Sequence, residues 1–403
     1  MAKPLRAVRV YGEGARQVKR YGSLMVYRKW VRAPEDIEHG ELVVVEDESG
    51  EVIACGFYDE WGPVALRLIG LGYCSYSTPE EAIRARLEEA YNTRKRLGYT
   101  EKGFGYRLVH SDGDLMPGLI VDVYDDLVVF QSSSKVWDKY RSTIVEALRE
   151  ILEPRSIYEK STQRTRLEIG LEPYEKLHYG DKPRAIVYEN DVKLLVDPVR
   201  GQKTGLFLDQ RDNRLLFSSL VDAEARVLDV FSYTGGFGLQ ALARGAREVV
   251  FIEQDEKAVK ILEENLELNK VDKSKVRIIN DDAWHALRRL IGFKERFNVV
   301  VVDPPAFIPR AEVKDRGVRG YQNIYRMALR CLRREGLLFL SSCSSFLSRS
   351  EFLEIVAQSL QGSDYRLIGG VRGMPLDHPS RPSAPYLDYL KSLFIRVYTH
   401  PYR

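Results

Sequence analysis

Four apolar runs in the C-terminal half of the chain each lead into a carboxylate, and the first also leads into a cluster of glycines. Val227, Leu228, Val230 and Phe231 surround Asp229 and give way to Ser232-Tyr-Thr-Gly-Gly-Phe-Gly238, after which Leu239, Ala241 and Leu242 return at helical spacing. This order predicts a strand, a tight turn and a helix. The run Glu248-Val-Val-Phe-Ile ends at Glu253, Val276-Arg-Ile-Ile279 leads to Asp281 and Asp282, and Asn298-Val-Val-Val-Val302 leads to Asp303-Pro-Pro-Ala-Phe307. From about residue 198 onward strand and helix alternate, which predicts a parallel sheet with right-handed crossovers. Ligands of such sheets bind beyond the carboxyl ends of the strands. The four acids therefore converge on one edge.

A dinucleotide would call for G-x-G-x-x-G, with a pyrophosphate on the helix N-terminus. Here the glycines are Gly235, Gly236 and Gly238, and Asp229 ahead of them repels an anion. That disfavours a nicotinamide oxidoreductase. An ammonium group suits Asp229, and S-adenosylmethionine offers an ammonium, a sulfonium, a ribose and an adenine without phosphate. Glu253 stands about where a carboxylate meets ribose hydroxyls, Asp282 suits an adenine amine, and Asp303 closes the set. Phe231, Tyr233, Gly235 and Gly236 form the turn against such a cofactor. Any one acid is as readily a solvated turn residue; the argument rests on four in register.

At 403 residues the chain calls for two or three domains. The net charge is only +3, yet Lys3, Arg6, Arg9, Arg16, Lys19, Arg20, Arg28, Lys29 and Arg32 face the single acid Glu13 at the N-terminus. A local basic patch is the footprint of a polyanion or a merely solvated surface. Tyr11, Tyr21, Tyr27 and Trp30 interleave with it, as base stacking requires, although core packing is the plainer role for at least two of them. Cys55, Cys74, Cys331 and Cys343 form neither a C-x-x-C pair nor a disulfide framework, and the six histidines suggest no metal site. With no apolar run of membrane length and no signal-like start, the expectation is a cytoplasmic, metal-free protein away from the membrane.

Residues 1–75 read as short strands, including Leu42 to Val45, Val52 to Phe57 and Val64 to Leu68, and fit a small β-barrel. Thr78-Pro-Glu-Glu81 predicts a helix start with a capping box, and Gly98 its end. Strands at Arg107-Leu-Val109, within Asp114-Leu-Met-Pro-Gly-Leu-Ile-Val-Asp122 and at Leu127 to Gln131, a helix from Asp138 to Leu152 and a hairpin around Glu189-Asn-Asp191 make residues 76–197 a central α+β domain. In 198–403, helices are predicted from Glu256 to Asn269 and from Tyr321 to Arg334, a buried strand over Gly336 to Ser341, and a final antiparallel pair at Tyr365 to Ile368 and Leu393 to Tyr398.

The strings Gly201-Gln-Lys-Thr-Gly-Leu-Phe-Leu-Asp-Gln-Arg-Asp-Asn-Arg214, Leu228-Asp-Val-Phe-Ser-Tyr-Thr-Gly-Gly-Phe237, Val302-Asp-Pro-Pro-Ala-Phe307 and Ser341-Ser-Cys-Ser344 resemble the large-subunit (23S) ribosomal RNA cytosine-5 methyltransferases that begin with a PUA domain. The likeness runs over nearly the whole chain. It implies an α/β fold with an N-terminal PUA-type RNA-binding barrel, a central α+β domain and a C-terminal Rossmann-like class I methyltransferase domain using S-adenosylmethionine. It also implies 23S ribosomal RNA as partner and admits a homodimer. Lys19, Arg20, Arg28 and Lys29 would meet RNA, as would Lys203 and Arg211 through phosphate, while Thr204, Gln210 and Arg214 would lie over the cofactor. Leu376-Asp-His-Pro379 resembles the family's closing motif, whereas Pro385-Tyr-Leu-Asp388 departs from its Pro-Glu-Gly.

Carbon 5 of cytosine is not nucleophilic, so its methylation requires a thiolate to add first at carbon 6. Cys343 lies just past a predicted strand, on the edge that carries the acids, and the resemblance makes it that nucleophile. Asp303 is a candidate to hold the cytosine amine or ring nitrogen. A second cysteine used by many such enzymes has its place taken by Ala306, leaving the final proton acceptor open. The Asp-Pro-Pro turn also suits methylation of a guanine amine or ring nitrogen, transfer RNA is another cytosine substrate, and a ribosome-assembly factor with an inactive domain is the non-enzymatic reading.

Overall fold

The computed structural model describes residues 4–402; Lys3 of the basic segment lies outside them. The chain divides into two compact units. One takes the stretch through Val187 together with Val196–Gly205 and Leu376–Leu387; the other takes Tyr188–Leu195, Leu206–Pro375 and Asp388–Arg403.

In the first unit, strands Arg6–Val10, Met25–Tyr27, Val31–Arg32, Leu42–Glu46, Val52–Tyr58 and Val64–Leu71 form one six-stranded sheet. Within the stretch 1–75, which reads as short strands, Gly12–Tyr21 between the first two strands is a helix. Gly14, Ala15 and Val18 bury one narrow face of it, and Gly22 ends it at φ +66°, a backbone region that favours glycine. A stripe this narrow, set among basic residues, escapes a search for alternation.

A five-stranded sheet follows, running in the order Tyr174–Tyr179, Ser156–Ser161, Leu127–Ser132, Leu119–Tyr124, Gly105–His110. Its helix Pro79–Arg96 starts as anticipated, with Thr78 Oγ1 accepting from Glu81 N at 3.2 Å. The reciprocal bond differs, because Glu81 accepts from the amide of Ser77 rather than of Thr78. The helix expected over 138–152 is two, Lys135–Lys139 and Arg141–Leu152, separated at Tyr140. Phe57 and Ile69 of the first sheet share one apolar core with Ile83, Trp137 and Ile144.

The second unit holds a seven-stranded sheet of β1 (Arg226–Val230), β2 (Glu248–Ile252), β3 (Val276–Ile279), β4 (Phe297–Val302), β5 (Leu332–Ser342), β6 (Asp364–Arg372) and β7 (Lys391–Thr399). Its order is β3-β2-β1-β4-β5-β7-β6. β1 to β5 run parallel, and β7 lies antiparallel between β5 and β6. Val227, Leu228 and Val230 of β1 and Val299 to Val302 of β4 are buried, as continuous apolar strands covered on both faces must be. Helices Gly236–Ala243, Glu256–Leu268, Ala283–Gly292, Lys314–Cys331 and Arg349–Ser359 join the strands. The helix anticipated over 321–334 ends at Cys331, because Leu332 already pairs with Phe297 in the sheet. Among the described residues no helix is long and apolar enough to cross a membrane.

Candidate functional site

Parallel register brings the carboxyl ends of β1, β2, β4 and β5 level, and with them Asp229, Glu253, Asp303 and Cys343. The glycine turn is shaped by what lies beneath it. Gly235 takes φ +87°, and a Cβ on Gly238 would stand 2.1 Å from the Phe251 ring, so only glycine lets the helix start this close to β2. Phe231 and Tyr233 both adopt left-handed backbone, at φ 62° and 50°. Strain of this kind in non-glycine residues gathers where a ligand loop is held in one shape.

Asp229 is buried and accepts from the Gly238 amide at 2.9 Å. Burial, followed by the nearby charges of Asp303 and Glu253, pushes its carboxyl up to about 7 despite that bond. Glu253 closes β2 by accepting from Tyr233 N at 2.8 Å on one oxygen, and from Gln254 N and Asp255 N at 2.8 and 2.9 Å on the other. Each of these oxygens keeps a further lone pair for a hydroxyl donor. Asp282 caps the helix after β3, accepting from Trp284 N and His285 N at 3.0 and 3.1 Å.

Asp303 is half-buried at the end of β4 and receives two donors on one oxygen, Gln210 Nε2 at 2.8 Å and the Ser341 hydroxyl. Burial raises its carboxyl to about 6 while these donors pull the other way. Cys343 is half-buried just past β5, its Sγ 3.8 Å from the Pro304 carbonyl. Around it the Tyr321 hydroxyl meets Ser344 Oγ at 2.7 Å, and the Tyr325 hydroxyl donates to the Ser341 carbonyl at 2.7 Å. Phe307 is not presented as a free platform: its ring lies 4.6 Å from Tyr321 and 5.4 Å from Trp284, and Phe231 packs on the same group.

The block 201–214 does not act as one piece. Gln210 joins the Asp303 site, but Thr204 belongs to the first unit, where its hydroxyl donates to Asp122 at 2.7 Å and lies 2.9 Å from Tyr124 Oη. Arg214 is buried beneath the glycine turn, bonded to Glu189 at 2.7 and 2.6 Å and to the Phe207 carbonyl at 2.9 Å. Gly236 leaves room for it, since a Cβ there would meet Arg214 Cδ at 2.8 Å. Arg211, expected at phosphate, is 3% exposed with its Nε 3.2 Å from Asp212, whereas Lys203 is exposed. The buried guanidinium is thereby withdrawn from a surface phosphate.

The basic segment is also less free than its composition suggests. Lys19 bridges Asp47 and Glu51 at 2.9 and 2.6 Å, Arg6 pairs with Glu41 and Asp36, and Arg28 donates to the carbonyls of Asp59 and Gly62. Arg20 lies over Tyr21 and Lys29 over Trp30. Tyr11, Tyr21 and Tyr27 are exposed, so the core role expected for two of the aromatics does not hold for these three.

Sequence reasoning overlooked Lys391, Tyr321, Tyr325 and Glu189. Lys391 reads only as the polar start of a strand, and the Ser342–Lys391 pairing of β5 with β7 is what brings it to the cysteine turn.

A parallel sheet of this order with an acidic, glycine-turned edge is the fold of S-adenosylmethionine-dependent methyltransferases. A Streptococcus mutans protein described in those terms superposes with a TM-score of 0.79 at 21% identity, over 98% of this chain and 100% of that one. The model for a PUA-like domain matches residues 8–70, and that named conserved hypothetical protein 95 matches residues 214–310. A Methanocaldococcus jannaschii protein described as a ribosomal RNA large subunit methyltransferase is 34% identical over 380 residues, 93% of this chain and 95% of the relative. Ribosomal RNA large subunit methyltransferase I of Shigella dysenteriae is 33% identical over 362 residues, covering 89% and 90%. The chain belongs to this family of methyltransferases.

Proposed function

We propose that the chain methylates carbon 5 of a cytosine in 23S ribosomal RNA, with S-adenosylmethionine as donor and Cys343 as nucleophile. The observation that carries this reading is a half-buried thiol, at the Cys343 turn, set against the carbonyl of Pro304, the residue that follows Asp303 on the acidic edge. A thiol there is needed for carbon-5 chemistry and is superfluous for transfer to an amine or ring nitrogen.

The donor set fits the cofactor. Burial, aided at Asp229 by the nearby charges of Asp303 and Glu253 and at Asp303 by that of Asp209, holds both carboxyls against ionisation, and an ammonium or sulfonium offsets that cost. Glu253 would take the ribose hydroxyls, Asp282 would face the adenine amine, and Phe231, Tyr233, Gly235 and Gly236 would line the turn. When bound, S-adenosylmethionine supplies an electrophilic methyl group.

The chain's own residues do the rest. The Cys343 sulfur adds to carbon 6 of cytosine while Asp303 holds the amine or ring nitrogen, and carbon 5 becomes nucleophilic. After methylation a base removes the carbon-5 proton and the carbon–sulfur bond breaks, returning the thiolate. Phe307, packed into its aromatic cluster, is poorly disposed to stack an extruded base, which weighs against a guanine amine as target. For RNA, the exposed Arg20, Lys29 and Lys203 are the best placed of the expected cations. Lys19 and Arg28 would first have to exchange partners.

The experiment is methyl transfer from labelled cofactor to unmodified ribosomal RNA, comparing wild type with Cys343→Ser and identifying the product nucleoside. Labelled 5-methylcytosine from wild type and none from Cys343→Ser is the expected result. Retained activity in Cys343→Ser, or label on guanine, overturns the reading.

A further inference from the structure

Lys391 opens β7 opposite Ser342 and is 1% exposed. Its Nζ donates to the carbonyl of Ser344, the residue after Cys343, at 2.6 Å and to that of Tyr389 at 2.6 Å. Among the described residues no carboxylate forms an ion pair with it. Burying an ammonium without a counter-charge is costly. A lysine in this position is therefore expected to answer a negative charge that forms during the reaction.

We propose that Lys391 is the positioning residue for the Cys343 thiolate: it fixes the turn that carries the sulfur and supplies the positive charge that stabilises its ionised form. The proposal rests on the reading of Cys343 as nucleophile. Adjacent cations are a standard means of making a cysteine reactive near neutral pH.

The charges around the pair support it. Burial draws the Lys391 ammonium down to about 8, and the charge that most opposes this is the Cys343 thiolate; Asp388 and Glu351 act more weakly in the same sense and Arg349 against. On the other side Cys343 faces Tyr321 and Tyr325, whose hydroxyls burial pushes up, Tyr321 to about 12. Both phenols stay neutral and bring no charge of their own to the thiolate. The ammonium and the thiolate each favour the charged form of the other. When sulfur adds to the base the ammonium remains, and it is in place for the thiolate that elimination returns.

The test is the pH dependence of Cys343 alkylation by iodoacetamide in the full-length protein, read by mass spectrometry of the Cys343 peptide. Wild type is compared with Lys391→Met and Lys391→Arg. Lys391→Met should move the alkylation midpoint up by about one pH unit from that of wild type, a tenfold loss of thiolate below it, whereas Lys391→Arg keeps the charge and the wild-type midpoint. If Lys391→Met does not fold, Lys391→Gln carries the same expectation. An unchanged midpoint, or one raised equally by methionine and arginine, overturns the proposal. If the midpoint shifts as expected and Cys343→Ser nevertheless methylates RNA, the nucleophile reading fails and the coupling of lysine and cysteine stands.

Discussion

Gln210 Nε2 donates to Asp303 Oδ1 at 2.8 Å, across 93 residues of chain. The Ser341 hydroxyl donates to the same oxygen. Two donors on one carboxylate oxygen hold the group in a fixed orientation and favour its ionised form. Burial works against them and leaves the carboxyl at about 6. A substrate-holding role for Asp303 in its ionised form predicts an acid limb near pH 6 in the rate of methyl transfer. Removing a donor to the ionised form raises the titration point, so Gln210→Leu should shift that limb upward, and Asp303→Asn should lose activity by about two orders of magnitude or more. Rate–pH profiles of the three proteins at saturating cofactor check this; a limb unmoved by Gln210→Leu would detach it from Asp303.

Asp229 carries a second pH-dependent consequence. Its folded-state value near 7 lies above the ordinary aspartate value, so the sign is the reverse of a salt-bridged acid. The ligand-free fold loses stability as pH rises from about 4 through about 7, as the buried carboxylate is forced to ionise. A cationic ligand favours that ionised form. Binding of S-adenosylmethionine near pH 7 should thus release a fraction of a proton, and affinity should fall as pH drops below 7. Calorimetry in buffers of different ionisation enthalpy measures the release directly. Asp229→Asn should abolish it, weaken binding, and raise the ligand-free melting temperature at pH 8.

The acidic edge was legible in the sequence because each acid follows its own apolar run, and the parallel register then levels the four runs without further information. Cys343 was legible for the same reason. What could not be read were groups brought in by antiparallel or long-range packing. Lys391 depends on β7 entering beside β5, and Glu189 on a hairpin far upstream of the arginine it holds. Thr204 and Gln210 lie in one polar string, yet fall in different units because Gly205 to Leu206 is where the chain passes between them. Arg211 was expected at phosphate and Arg214 over the cofactor, because charge in a polar string says nothing of burial; both are buried.

Gly238 tests the tight helix start. A Cβ there would meet Phe251 Cε1 and Cζ at 2.1 and 2.5 Å and Val249 Cγ1 at 2.9 Å, and these belong to a packed sheet face that cannot yield freely. Gly238→Ala should cost about 1–3 kcal/mol by overpacking, seen as a lower denaturation midpoint. It should also loosen the amide that Asp229 uses. Adding Phe251→Leu, which removes the clashing ring edge, should return part of the loss. Equal stability of wild type and Gly238→Ala would mean that the turn adapts in a way the close approach does not suggest.

The Arg214–Glu189 pair supports the same turn from below. Both side chains are buried, the contact is bidentate, and Arg214 also donates to the Phe207 carbonyl. A buried ion pair is an uncertain source of net stability, since desolvation offsets much of the attraction; removing one partner is a different matter, because it strands a charge and costs about 3–5 kcal/mol. Glu189→Gln and Arg214→Met should therefore each destabilise strongly, and the double variant should be less destabilised than the sum of the two. Cofactor binding separates support of the turn from stability alone. If Arg214 shapes the turn through its contact at Gly236, cofactor affinity in the double variant stays reduced even where the fold recovers, and full recovery of both would confine the pair to the core.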